Sequence, residues 1–65
     1  MRIKVFLMNS AEDNSDLIID VEENIHISNM YLSTKSIYHD NVLYDITESV
    51  LNMKDREIQI TVKER

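Results

Sequence analysis

The chain has 65 residues and a formal net charge of −5 at neutral pH, from seven basic and twelve acidic side chains. It contains no cysteine, glycine or proline, which excludes disulfides, thiolate metal sites and the glycine-rich loops that bind phosphate groups. An acidic surface disfavours direct binding to nucleic acid or to anionic membranes and favours basic partners.

We expect residues 1–65 to form a single domain, because this length is near the lower limit for a chain that folds around one core. No apolar run approaches the roughly 18 residues of a membrane span, and the N-terminal residues lack the pattern of a signal peptide. We therefore expect a cytoplasmic protein that does not bind a membrane.

The first third of the chain predicts two antiparallel strands, at residues 2–8 and 17–21, because β-branched and other apolar residues alternate there with a period of two. The predicted pairing joins three apolar pairs: Ile3–Val21, Val5–Ile19 and Leu7–Leu17. The other face of the first strand carries Phe6 and Met8, so this strand is apolar on both faces, as in a central strand or an interface.

The segment 9–16 between these strands is polar and carries Glu12, Asp13 and Asp16. It lacks the alternating ligands and the central glycine of a calcium-binding loop. We therefore interpret it as a solvated acidic loop.

Residues 17–44 predict three consecutive strands. A three-residue loop ending at Asn24 would join the second strand to a third at 25–32, with Asn24 in the left-handed conformation. A four-residue loop at 33–36 would then lead to a fourth strand at 37–44. Both loop lengths place apolar side chains on one common face, since a shift of one residue would move every side chain to the opposite face.

The next segment predicts one short helix at about 46–53. Asp45 and Glu48 have the spacing of a helix capping box, and apolar residues follow at helical intervals. A longer helix that begins near Asn41 shares the same apolar stripe and stays open as an alternative.

Residues 57–63 predict the last strand, with Ile58, Ile60 and Val62 on its core face. Together these elements predict a mainly β fold: a small five-stranded antiparallel half-open barrel of the SH3-like or Sm-like kind, with the short helix before the last strand. The last strand would return beside the first. The alternative is an α+β, ubiquitin-like β-grasp, which would require a helix at 28–39, where no helical stripe is present.

Catalysis is not expected. His26 and His39 are the only histidines, and neither has neighbours in sequence that suit a zinc site. The predicted hairpin places His26 opposite Asp20, which we interpret as a surface ion pair. Because a chain this short encloses little volume for an active site, we expect a non-enzymatic protein without catalytic, cofactor or metal sites.

The first predicted binding surface is an acidic edge that docks on a basic surface of a larger protein. Its residues are Glu12, Asp13, Asp16, Asp20, Glu22 and Glu23. Neighbouring positions on one strand face are about 6.6 Å apart, a spacing comparable to that of successive phosphates, so the edge has the spacing to imitate nucleic acid. Small size and acidity favour an inhibitor or adaptor from a phage or a mobile element.

The second predicted surface is an apolar sheet face that would join copies of the chain. Its residues are Phe6, Met8, Ile18, Met30, Leu32 and Ile37. So many apolar side chains exceed what a monomer with one buried face leaves exposed. The alternative function is therefore a homo-oligomeric structural subunit.

Overall fold

The structure, a computed structural model, describes residues 1–9 and 14–65. Its elements in chain order are β1 (Arg2–Asn9), β2 (Asn14–Glu22), α1 (Ile25–Ser33), β3 (Ser36–His39), β4 (Val42–Asn52) and β5 (Glu57–Glu64). The strands form a single five-stranded sheet in the order β2-β1-β5-β4-β3. The prediction of a mainly β, half-barrel fold with five strands and one short helix is confirmed.

The expectation that all strand pairings are antiparallel is wrong for one pairing. The last strand does return beside the first, but β1 and β5 run parallel, with Ile3 opposite Ile58. The other three pairings are antiparallel. β1, β3 and β5 thus run in one direction, and β2 and β4 run in the other. The β-grasp alternative has this arrangement: two strands, then a helix, and a final strand parallel to the first. Here the helix is Ile25–Ser33, and β3 is an additional outer strand.

The predicted pairing of the first two strands is confirmed at Ile3–Val21 and at Val5–Ile19. The third predicted pair is wrong, because a β-bulge shifts the register between Val5 and Phe6. Leu7 therefore lies opposite Asp16, and Leu17 lies opposite Phe6. As the double-sided apolar pattern indicated, β1 is a central strand, between β2 and β5.

The predicted strand at 25–32 is instead the helix α1. Asn24 does not take the left-handed conformation; it has φ −72° and ψ 172°, and its side-chain oxygen accepts a hydrogen bond of 2.9 Å from the Ile27 N–H. This is the geometry of a helix N-cap. The Ser28 hydroxyl donates to the Asn24 carbonyl oxygen at 2.8 Å, and Ser28 is buried. Tyr31, one turn later, packs against the core.

The predicted helix at 46–53 is instead the second half of strand β4. Ile46 lies opposite Val62 and Glu48 lies opposite Thr61, so that Thr47 is the extra residue of a β-bulge. The Thr47 hydroxyl donates to the Thr61 carbonyl oxygen at 3.1 Å. A short isolated helix gains little by itself, whereas pairing along the whole of β5 satisfies the backbone and places Ile46 against the core.

One face of the sheet, which we call the core face, carries the buried side chains and is covered by α1. Its fully packed residues are Ile3, Val5, Ile19, Tyr44, Ile58, Ile60 and Val62. The prediction that Ile58, Ile60 and Val62 point inward is thus confirmed. We call the opposite face the outer face; half-buried polar side chains such as Lys4, Gln59 and Thr61 lie on it.

Turns are made without glycine. Asp40 and Asn41 have φ values of 52° and 65° and form the two-residue connection between β3 and β4, where two successive left-handed residues match the twist of the hairpin. Arg56, with φ 51°, precedes β5. Asn and Asp tolerate this conformation, whereas for an arginine it is strained.

Candidate protein-interaction surfaces

The acidic side chains predicted to form one edge lie on an outermost strand of the sheet. Asp16, Asp20 and Glu22 belong to β2, which pairs only with β1, and Glu23 follows directly. Glu12 and Asp13 lie outside the described residues. The acidic segment therefore occupies a sheet edge whose outer backbone groups have no described strand beside them.

Two of these acids are held by cations of the same chain. Asp20 Oδ1 lies 2.6 Å from Arg2 Nε, and Glu22 Oε1 lies 2.6 Å from the α-amino group of Met1. The hydrogen bond from Arg2 is the main cause that lowers the pKa of Asp20, and the positive charge of Arg2 adds to it. The predicted pair of His26 with Asp20 is wrong, because His26 lies on α1.

The bulge in β2 also divides the acids between the two faces. Asp20 and Glu22 lie opposite Lys4 and Arg2, on the outer face, whereas Asp16 lies opposite Leu7, on the core face. A row of carboxylates along one face is therefore interrupted at the bulge.

A groove runs across the ends of β2, β1 and β5 and the middle of β4. Its lining residues are Leu7, Met8, Asp16, Thr47, Glu48, Lys63 and Glu64. Three carboxylates and one ammonium group thus border the apolar side chains of Leu7 and Met8, and Met8 is exposed. We call these seven residues the acidic groove. Only Asp16 belongs to the predicted edge, because strands distant in sequence bring in the other two carboxylates.

The six residues of the predicted apolar face do not share a face. Phe6 and Met8 lie on the outer face, as expected, but Ile18 and Ile37 pack against the core. Met30 and Leu32 are exposed on α1. The common face was a wrong expectation for two reasons. Ile18 is the extra residue of the bulge in β2, and the register through 25–44 assumed strands where a helix forms. A binding role for these residues stays a prediction.

The structure also exposes apolar residues that the sequence pattern did not single out. Val50, Leu51 and Met53, near the end of β4, are 43%, 45% and 70% exposed. They were not predicted to be exposed, because their spacing indicated a helix with a buried apolar stripe. In the strand, Val50 and Leu51 instead point to opposite faces of the sheet.

On the outer face, an ion pair links β1 to β5. Lys4 Nζ on β1 lies 2.9 Å from Glu57 Oε1 on β5, and the Gln59 amide donates to Glu57 Oε2 at 2.7 Å. Glu57 is only 8% exposed. The hydrogen bond from Gln59, and then that from Lys4, lower the pKa of Glu57. We assign this pair to the parallel β1–β5 contact rather than to a binding site.

Asp45, predicted as a helix cap, instead links three segments. Arg65 donates to Asp45 Oδ1 at 2.7 Å and to the Ser36 hydroxyl at 3.2 Å. The hydrogen bond from Arg65 is the largest cause that lowers the pKa of Asp45. The cluster ties β3, β4 and the C-terminal residue together where β3 begins.

Within residues 1–9 and 14–65, no group of three His, Cys, Asp or Glu side chains is placed to hold a metal ion. No helix in that part of the chain is long and apolar enough to cross a membrane. His26 and His39 are both exposed and lie on different elements, α1 and β3.

Comparison with protein-family models, with curated proteins and with solved structures finds no match for this chain. The residues and their geometry therefore provide the grounds for a function.

Proposed function

We propose that this protein is a small, non-enzymatic protein-interaction module that docks on a basic surface of a larger protein through the acidic groove. The observation that carries the proposal is that the acidic residues Asp16, Glu48 and Glu64 line one groove together with the apolar residues Leu7 and Met8. The net charge of −5 adds a long-range attraction for a basic partner.

The groove suits the chemistry of a lysine or arginine side chain. Such side chains have an apolar stem and a charged head, and they bury the stem while the head stays at a polar rim. The stem would pack on the exposed side chain of Met8, and the head would bind the carboxylates through charge-assisted hydrogen bonds. Lys63, which also lines the groove, leaves an excess of negative charge there.

This mode of binding makes the module an inhibitor or an adaptor, because it occupies a partner's surface without chemistry. An origin in a phage or a mobile element and a cytoplasmic location stay predictions from size, acidity and hydropathy. Imitation of nucleic acid also stays a prediction; the division of Asp16 from Asp20 and Glu22 by the bulge favours docking by the groove over a row of phosphate-like charges.

A lysine-rich peptide tests the groove by NMR titration. We expect the largest amide shifts at Leu7, Met8 and their neighbours, and we expect Asp16→Asn/Glu64→Gln to remove them. The matched control is Glu22→Gln/Asp40→Asn, which removes the same charge elsewhere and keeps a residue that tolerates the left-handed turn at position 40. Equal loss of binding in both double variants would mean that only net charge matters, and would overturn the groove.

The same two double variants apply to the natural partner. A pull-down from the native host should recover one basic protein with the wild type and with the control pair, and lose it with the groove pair. Recovery of that protein by the groove pair at wild-type level would also contradict the proposal.

The alternative function, a homo-oligomeric subunit, cannot use the six-residue face that the sequence pattern indicated, since those residues are dispersed. A different part of the sheet provides a surface for self-association.

A further inference from the structure

Strand β4 is paired along both sides for only part of its length. β3 pairs with residues 42–45, and the Ile46 N–H donates to the Lys35 carbonyl oxygen at 2.9 Å. Residues 47–52 continue beside β5, but no described strand lies on their other side. We call residues 47–52 the free β4 edge.

The outward backbone groups of this edge are set by the register. At the start of β4, the backbone N–H and C=O groups of even-numbered residues point toward β3, as the hydrogen bond from the Ile46 N–H to the Lys35 carbonyl oxygen shows. Those of odd-numbered residues point toward β5, as the hydrogen bond from the Arg65 N–H to the Leu43 carbonyl oxygen shows. The bulge at Thr47 inverts this alternation. Beyond it, Ser49 and Leu51 direct their N–H and C=O groups away from β5, toward solvent.

The free β4 edge lacks the features by which proteins protect an exposed strand. Such edges usually carry charges or proline, or are covered. This one has a single charged residue, Glu48, and its exposed apolar residues are Val50 and Leu51. A strand with a single charge, exposed apolar side chains and unpaired backbone groups is a surface to which another strand can add.

We propose that the free β4 edge pairs antiparallel with the same edge of a second copy, about a two-fold axis at Val50. Ser49 then lies opposite Leu51 of the second copy, and the outward N–H and C=O groups of both residues are all satisfied. Val50 lies opposite Val50 of the second copy, on the outer face. The two sheets become one continuous sheet with the two-fold symmetry that most dimers have.

The self-complementary register and the absence of like-charge contacts favour a second copy as the occupant. In this register Glu48 lies opposite Asn52 of the second copy, so no like charges meet. The same operation on β2 fails: centred on Ile18 or Ile19, it would place Asp16 opposite Asp20 or Glu22, and like charges directly opposite destabilise a sheet. Because the contact is small, we expect a dissociation constant weaker than about 1 μM.

The free β4 edge shares Thr47 and Glu48 with the acidic groove, but Val50, the centre of the proposed pairing, does not line the groove, so the two proposals can be tested separately. Sedimentation velocity over a range of concentrations tests it. We expect a monomer–dimer equilibrium for the wild type, loss of the dimer in Val50→Lys and an unchanged dimer in Leu17→Lys. Leu17 is a matched control, because it is an exposed apolar residue on the other edge strand. A wild-type protein that stays monomeric at millimolar concentration would overturn the proposal.

Crosslinking tests the register. The chain has no cysteine, so Val50→Cys adds the only thiol. A non-hydrogen-bonded antiparallel pair has Cα atoms about 4.5 Å apart, within the range that a disulfide spans. Mild oxidation should therefore yield a covalent dimer with Val50→Cys much faster than with Ser49→Cys or Leu17→Cys. Crosslinking at either of those positions as fast as at Val50 would contradict the two-fold pairing.

Discussion

The β2 edge and the free β4 edge differ in the charge that their strands carry and in how firmly they are packed. β2 carries Asp16, Asp20 and Glu22 between apolar residues, and Ile19 anchors it in the core. The free β4 edge carries one acid, and its apolar residues Val50 and Leu51 are exposed. Edge charge is a general device against unwanted strand pairing, so the β2 edge resists the addition of another strand, whereas the free β4 edge suits it.

The largest expected effect on stability concerns how firmly each of these two strands packs against the core. Ile19→Ala should lower the free energy of unfolding by about 2–4 kcal/mol, because it removes a buried side chain and leaves a cavity. Leu51→Ala, which shortens a half-exposed residue at the other edge, should cost less than about 1 kcal/mol. Urea unfolding followed by circular dichroism measures both. Equal losses would show that the free β4 edge is as well packed as β2.

Removal of acidic side chains from β2 should allow this strand to pair with a second copy, as we propose for β4. The variant Asp16→Thr/Glu22→Thr keeps the Asp20–Arg2 pair but removes the like-charge contacts that oppose self-pairing. We expect association beyond the dimer, because two self-pairing edges on one molecule generate open chains, visible as a rise in static light scattering with concentration. Addition of Val50→Lys should limit this association to dimers. Unchanged scattering would mean that charge does not protect β2.

The β2 edge should also contribute to the acid sensitivity of the fold. The pKa values of Asp20, Asp45 and Glu57 are lowered in the folded state by their hydrogen-bonding partners. Their contribution to stability is therefore present above the ordinary carboxyl pKa and is lost as the pH falls through the lowered values. Unfolding measured from neutral to acid pH should show that fall, less steeply in Asp20→Asn. A profile that is identical in Asp20→Asn would contradict the role assigned to Arg2.

The smallest expected effect concerns the turn that ends the free β4 edge. Arg56→Gly should raise the free energy of unfolding by up to about 1 kcal/mol, because glycine takes a positive φ without strain. Asn41→Gly is the matched control, and its gain should be smaller, since asparagine already tolerates that conformation. Thermal unfolding compares the two. A loss of stability in Arg56→Gly would show that the arginine side chain outweighs the backbone strain.

The strands at both ends of the chain were predictable because their signals are strong and local. Ile58, Ile60 and Val62 alternate without interruption, and the pairs Ile3–Val21 and Val5–Ile19 join neighbours across one loop. The bulge that moved Asp16 beside Leu7 left no sequence signal. Without it, the acids of β2 looked like one row.

The middle of the chain was misread because its local signals suit two structures. Ile25 and Ile27 fit a strand by alternation, while Asn24 serves equally as a turn residue and as a helix cap. The segment 46–53 has the opposite ambiguity, with the spacing of a capping box and of a helical stripe. These errors also affected the predicted surfaces. The residues of the predicted apolar face do not lie on one face, and the free β4 edge was predicted to be part of a helix.

The sequence by itself determined the class of the molecule: a small, acidic, mainly β chain, with its last strand beside its first. These properties depend on composition and on two-residue alternation, which the order of residues displays directly. The tertiary structure alone decided which middle segment is helical, that β1 and β5 run parallel, and which edge stays unpaired. Those outcomes depend on backbone groups that find partners far away in the chain, and a local pattern does not record where the partner lies.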